Sequence, residues 1–129
     1  MLTKICSSLL LASSAFCADF YVSPQGDNAA VGTQSAPWRT VQHAADTVRP
    51  GDIAHVLAGT YTEKIQIRKS GEPGRPIELK AEGPVALSGK GVEGESIVLI
   101  ENQSHVRLVG FEIRENLKVS DGSGVRVQG

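Results

Sequence analysis

Three histidines, three arginines and a scatter of carboxylates are the residues with which this 129-residue chain could do chemistry. His43, His55 and His105 can each accept a proton or bind a transition metal, but they stand at unrelated intervals with no cysteine or second histidine beside them. Their spacing predicts no metal centre. Asp27 and Asn28 offer oxygen atoms to a hard cation, yet a calcium cage wants six or more donors and only Asp27 is charged. Asp-Asn pairs bond their own backbone and predict a turn instead. Arg107, Arg114 and Arg126 fall at alternate, outward positions of short apolar runs, with Glu101, Glu112 and Glu115 nearby. A cation next to a carboxylate could hold an anionic group and move a proton, and Arg126 is the best placed of the three. The same pattern also suits a solvated face of mixed charge, which offsets repulsion between neighbouring strands. Asn102 and Asn116 each follow a strand as Glu-Asn, where a bend needs a residue tolerant of positive φ. No Ser-His-Asp or phosphate-loop signature occurs. The residues therefore assign no catalytic group and no metal ligand, and leave substrate contacts unknown.

The segment before these residues has a different composition. Lys4 precedes an apolar stretch, Ser8 to Phe16 with Leu9-Leu10-Leu11 at its centre, that is too short to cross a bilayer. Small residues follow it around Ala15-Phe16-Cys17-Ala18, so residues 1–18 read as a signal peptide and the rest as secreted, extracellular or periplasmic. A cut after Cys17 puts Ala15 three places before the scissile bond, and a cut after Ala18 puts Phe16 there; both stay open. A lipid anchor on Cys17 is disfavoured, because Ser14-Ala15-Phe16 lacks the leucine and small residue that such a site wants. No other membrane segment is present. Both cysteines, Cys6 and Cys17, lie in the leader, so the exported body keeps at most one thiol and no internal disulfide. Setting Lys4 apart from the 13 Lys+Arg leaves 12 against 14 Asp+Glu, a net of about −2 with no basic run. Nucleic-acid binding is excluded on that ground and by the scarcity of aromatic residues.

The elements that must position these side chains follow from the apolar periodicity. Phe20 to Val22 predicts a strand, ended by Ser23-Pro24-Gln25-Gly26-Asp27-Asn28. Between Thr40 and Arg49, apolar Val41, Ala44, Ala45 and Val48 form a helical stripe with Thr40 as N-cap, Arg49 in the last turn and Pro50-Gly51 as the stop. After Gly51 the period becomes 2. Strands are predicted at Ile53–Leu57, Lys64–Ile67, Ile77–Ala81, Val85–Ser88, Ile97–Ile100, Val106–Val109, Phe111–Arg114 and Val125–Gln128, each three to five residues long, with glycine and proline in the breaks.

Ile77-x-Leu79 matches Ile97-x-Leu99 at a shift of 20, Val85-x-Leu87 matches Val106-x-Leu108 at 21, and Gly94 to Leu99 matches Gly122 to Val127 at 28. Such intervals suit coils whose strands pair in parallel with their copies one coil on. An antiparallel sandwich is the competing architecture, but no Asn-Gly or Asp-Gly hairpin turn lies between two of these strands. A solenoid needs its first coil covered, and the helix at Thr40 to Arg49 supplies the cover.

Tyr21-Val22-Ser23-Pro24-x-Gly26, Gly32-Thr33, Pro37-Trp38-Arg39-Thr40-Val41-Gln42-x-Ala44, Pro50-Gly51-Asp52 and Gly59-Thr60-Tyr61-x-Glu63, followed by Ser70-Gly71 and Pro76-Ile77, together resemble one family. They resemble the N-terminal part of right-handed parallel β-helix proteins of the pectate-lyase-like superfamily, which includes bacterial pectate lyases and uncharacterised secreted relatives. A second resemblance, to alginate and chondroitin lyases, begins only at Pro50-Gly51-Asp52. The first implies an all-β parallel β-helix with a short capping helix: residues 1–18 the leader, 19–52 the strand, loop and cap, and 53–129 the first coils. In such families acidic side chains on middle coils hold Ca²⁺ while a Lys or Arg takes a proton beside the substrate carboxylate. No position of this sequence aligns with that motif, so no catalytic residue is carried over and no cofactor is expected in this segment. The chain reads as the opening of a solenoid cut short, with a charged polysaccharide as partner and a monomer when complete. The parent is expected to be a polysaccharide lyase acting on uronate polymers by β-elimination, with a non-catalytic carbohydrate-binding or cell-surface β-helix as the alternative. Trp38 and Tyr61 could stack on sugars, but their positions beside the helix and first coil predict that they seal the cap.

Overall fold

The computed structural model describes residues 17–91, 96–114 and 123–129. Residues 1–16, on which most of the leader reading rests, lie outside them, as do Glu115 and Asn116.

The chain runs β1 (Asp19–Val22), α1 (Val41–Thr47), β2 (Ile53–Thr62), β3 (Ile65–Ile67), β4 (Ile77–Ser88), β5 (Ser96–Glu101), β6 (Val106–Arg114) and β7 (Ser123–Gln128). One sheet has the order β1-β2-β4-β6 and the other β3-β5-β7. Every pairing between these strands is parallel, and each strand lies against the one a coil later. This is the expected parallel β-helix, not the antiparallel sandwich.

Two details of the sequence reading change. The short runs on either side of Gly83-Pro84 and of Gly110 are not separate strands but the two legs of long, bent ones, and the strand from Ile53 continues through a corner at Gly59 to Thr62. Register shifts at two of these corners, between Leu57 and Gly59 and between Lys80 and Val85, let the chain turn without leaving its partner. At the corner Gly83 and Gly110 have φ of +93° and +83°, a region that glycine enters without strain. Close stacking also requires the bare backbone there, since a Cβ on Gly110 would sit 3.2 Å from that of Ala81.

The coil length changes too. Ile53 stands beside Glu78, Leu79 beside Leu108, Leu87 beside Ile113 and Ile65 beside Val98, so successive coils are 25, 29, 26 and 33 residues apart at these points. The shift of 20 aligns β4 with β5, which lie in different sheets, and the shift of 21 sets the second leg of β4 against the first leg of β6, out of register. The shift of 28 is one residue from the true register, in which Val98 pairs with Val125. Alternation of Ile, Leu and Val resembles itself at many offsets, which is how the false shifts arise.

Inward side chains stack in files: Phe20, Ala54, Leu79 and Leu108; Val22, Val56 and Ala81; Tyr61, Leu87 and Ile113; Ile65, Val98 and Val125. Val22, Val56, Ile65, Leu79, Leu87 and Val98 are essentially inaccessible, and burying such a side chain stabilises the fold by about 1.5–3 kcal/mol. The predicted stripe Val41, Ala44, Ala45 and Val48 is buried in full, so the helix covers the first coil as expected.

Truncating a central member of a file leaves a cavity. Leu79→Ala is expected to lower stability by about 2–5 kcal/mol, and Val31→Ala, at a 68% exposed position, by less than about 0.5 kcal/mol. Denaturant unfolding of both variants checks the difference.

Candidate functional site

Helix α1 has seven residues, and all its free backbone groups must find partners. Thr40 is extended at φ −115°, and its hydroxyl accepts from the His43 N–H at 3.2 Å. The N–H groups of Val41 and Gln42 donate to the two carboxylate oxygens of Glu63, each at 2.9 Å. Burial pushes the Glu63 carboxyl above its ordinary value, against the pull of these two donors. At the other end the helix is shorter than predicted. Arg49 lies outside it, because its N–H bonds the Asp52 carboxylate at 2.8 Å instead of a helical carbonyl. The cation at this terminus is Lys69, whose Nζ donates to the carbonyls of Val48 at 2.8 Å and Asp46 at 3.2 Å.

Gln42 joins the helix to the second sheet. Its Oε1 accepts from the Gln66 N–H at 2.7 Å and its Nε2 donates to the Gln66 carbonyl at 3.0 Å. The carboxamide thereby takes the place of a neighbouring strand on β3. Trp38 and Tyr61 are each only 4% exposed. Trp38 stacks on Phe20 at 4.8 Å and donates to the Ala30 carbonyl at 3.0 Å, while the Tyr61 hydroxyl donates to the Leu57 carbonyl at 2.8 Å. Both seal the cap and neither offers a face to a sugar.

Of the histidines, His43 meets Trp38 edge-on and His105 forms a turn at φ +56°. His55 is different. Its Nδ1 is 2.6 Å from a Glu82 oxygen and its Nε2 is 2.8 Å from an Asp19 oxygen, and its ring stacks on Tyr21 at 4.9 Å. The imidazole thus bridges β1, β2 and β4 on the outer face. Only a ring carrying both N–H groups can donate to both carboxylates at once. Both ring nitrogens are engaged by carboxylate oxygens. The arrangement was not legible in the sequence, since Asp19, His55 and Glu82 come together only through the parallel register.

Two of the three predicted outward cations are exposed, as expected. Arg107 is 60% exposed and lies 3.4 Å from Glu78, and Arg114 is 55% exposed and donates to Glu112 at 2.6 Å. The hydrogen bond and charge of Arg114 hold the Glu112 carboxyl below its usual range, which makes it a poor base. Glu101 is exposed as well, whereas Arg126 is half-buried. Asp27 accepts from the Ala29 N–H at 2.8 Å, and Asn28 accepts from the N–H groups of Arg39 and Thr40 at 2.9 and 3.1 Å, so both serve the loop. Asn102 has the expected positive φ, at 57°. Among the described residues no three His, Cys, Asp or Glu side chains converge as a metal cage, and these residues do not fit a calcium site.

Residues 24–128 match the family described as a protein of unknown function, DUF1565. The chain belongs to that family. It is 39% identical over 84 residues to "Pectate lyase PEL9" of Emericella nidulans, across 64% of this chain and 18% of that protein. It is 29% identical over 101 residues to "Uncharacterized protein YwoF" of Bacillus subtilis, across 74% of this chain and 22% of that protein. The chain thus spans about a fifth of the length of these relatives. Among solved structures it resembles pectate lyase Pel9A, with TM-score 0.63 and 22% identity over 76% of this chain and 28% of that one. It also resembles a GH136 lacto-N-biosidase from Eubacterium ramulus, with TM-score 0.70 and 18% identity over 84% of this chain and 24% of that one. These likenesses show the fold, a pectate-lyase-like β-helix.

Three substitutions test whether these contacts are structural. Glu63→Ala removes the acceptors of two buried N–H groups and is expected to cost about 1–3 kcal/mol. Because the folded carboxyl value is raised, its protonation contributes stability that is present below the ordinary value of 4.5 and lost as pH rises through the raised one. Urea unfolding at about pH 4 and pH 7 should show this loss in the parent protein and not in Glu63→Gln. His55→Phe keeps the ring stack but neither hydrogen bond. It should speed hydrogen exchange at Tyr21 and Val22 while leaving Ile65 to Ile67 unchanged.

Proposed function

We propose that these coils open an exported, carbohydrate-active β-helix, and that the complete protein is a polysaccharide lyase that cleaves uronate-containing polymers by β-elimination. The observation that carries this reading is the 39% identity to a pectate lyase. Export rests on the leader signature at residues 1–18.

The geometry agrees with an opening module and not with a reaction centre. β-Elimination needs a base at C5 of the uronate and a cation to neutralise the adjacent carboxylate. Here the exposed Arg107 and Arg114 are each engaged by a carboxylate, and His55 is held between two. The reaction belongs on coils that the relatives build in the four-fifths of their length beyond this match. Leu108, Phe111, Ile113 and Val125 line an apolar hollow in the interior, not a polar cleft for a sugar. Ca²⁺, if the complete enzyme uses it, would be held on those further coils, and the acidic polysaccharide would bind there to a monomer.

Absorbance of unsaturated product tests the proposal. The whole gene product is expected to release it from polygalacturonate or rhamnogalacturonan, and residues 1–129 alone to release none. No product from either polymer, with and without Ca²⁺, would remove the lyase reading and favour a non-catalytic carbohydrate-binding β-helix. Turnover by residues 1–129 would refute the placement of the chemistry.

A further inference from the structure

Ala18 precedes β1, and its backbone is held from both sides. Its carbonyl accepts from the Ile53 N–H at 2.9 Å, and its N–H donates to the Asp52 Oδ1 at 2.9 Å. Asp52 is 5% exposed, and its second oxygen accepts from the Arg49 N–H at 2.8 Å. The side chain that ends the Pro50-Gly51-Asp52 turn is therefore a nearly inaccessible carboxylate with one oxygen aimed at the nitrogen of Ala18. The two partners of this buried carboxylate, the N–H groups of Ala18 and Arg49, are both neutral, and a full positive charge at the Ala18 nitrogen would suit it better.

Leader removal can supply the charge. We infer that the leader is cut between Cys17 and Ala18, and that the α-ammonium so created at Ala18 forms an ion pair with Asp52 that locks the start of β1 onto the first coil. This rests on the reading of residues 1–18 as a leader. In the cut, water adds across the Cys17–Ala18 peptide bond. Its oxygen joins the Cys17 carbonyl carbon to give a carboxylate on the leader, and the Ala18 nitrogen departs as an amine that takes up protons to become ammonium. The sequence around the bond agrees, because this position has small residues at Ala15 and Cys17, whereas the alternative cut after Ala18 has bulky Phe16. That alternative would also remove the Ala18 carbonyl from the Ile53 N–H and the Ala18 nitrogen from Asp52. A cut after Cys17 sheds both cysteines of the chain and leaves the fold without a thiol.

The test is the intact mass and N-terminal sequence of the whole gene product exported with its own leader. Ala18 as the first residue supports the inference. Asp19 as the first residue overturns it while leaving the leader reading intact, and a chain that retains Met1 overturns both. A second measurement addresses the ion pair itself in the exported protein. Acetylation of the Ala18 amine is expected to reduce the folding equilibrium constant by about ten-fold or more, the usual worth of a hydrogen bond to a charged group, and to leave Asp52→Asn unchanged. Equal losses in both backgrounds, or none in either, would refute the pair. The acetylation arm compares one folded protein with itself, so it remains decisive even if Asp52→Asn lowers stability on its own.

Discussion

Parallel stacking imposes one requirement on everything else in this chain: each coil borrows its pairing partner from the coil before it, and the first coil has none to borrow. An open parallel sheet exposes apolar files along with unpaired N–H and carbonyl groups. The residues before Ile53 answer this requirement. β1 pairs with β2, the loop to Trp38 covers β1, and α1 covers the interior with Val41, Ala44, Ala45 and Val48. A helix of seven residues is marginal alone, so its termini are held from outside. Glu63 and Lys69, both beyond β2, reach back to its two ends. Cap and first coil are therefore a single cooperative unit, since neither has its hydrogen bonds complete without the other.

The parts of this design that were legible in the sequence are those written in local pattern. The helix stripe, its Thr40 cap, the change to period 2 after Gly51, the turn at Asp27-Asn28 and the sealing roles of Trp38 and Tyr61 all follow from neighbours within a few residues. What was not legible depends on contacts between coils. Short runs on either side of Gly83-Pro84 read as two strands because a corner glycine looks like a break, and only the register shows one bent strand. Arg49 reads as the helix's terminal cation because it is adjacent in sequence, yet Lys69 occupies the place by way of the first coil. Asp19, His55 and Glu82 are separated by about one coil each, and no local pattern joins them.

The candidate chemistry divides along the same line. Cations and carboxylates that a sequence would nominate for catalysis are spent on each other or on the backbone: Glu63 on the helix, Asp52 on the first turn, His55 between two acids. Membership of a family of unknown function and likeness to lyases over a fifth of their length are consistent with a segment whose polar groups build a start.

The Gln42 carboxamide has one consequence beyond holding a helix in place. By presenting one donor and one acceptor to Gln66, a side chain satisfies a backbone position that another strand would otherwise occupy. The two sides of β3 are thereby unlike at this position: one is sealed by a side chain, to which no further strand can add, and the other carries β5 through its backbone.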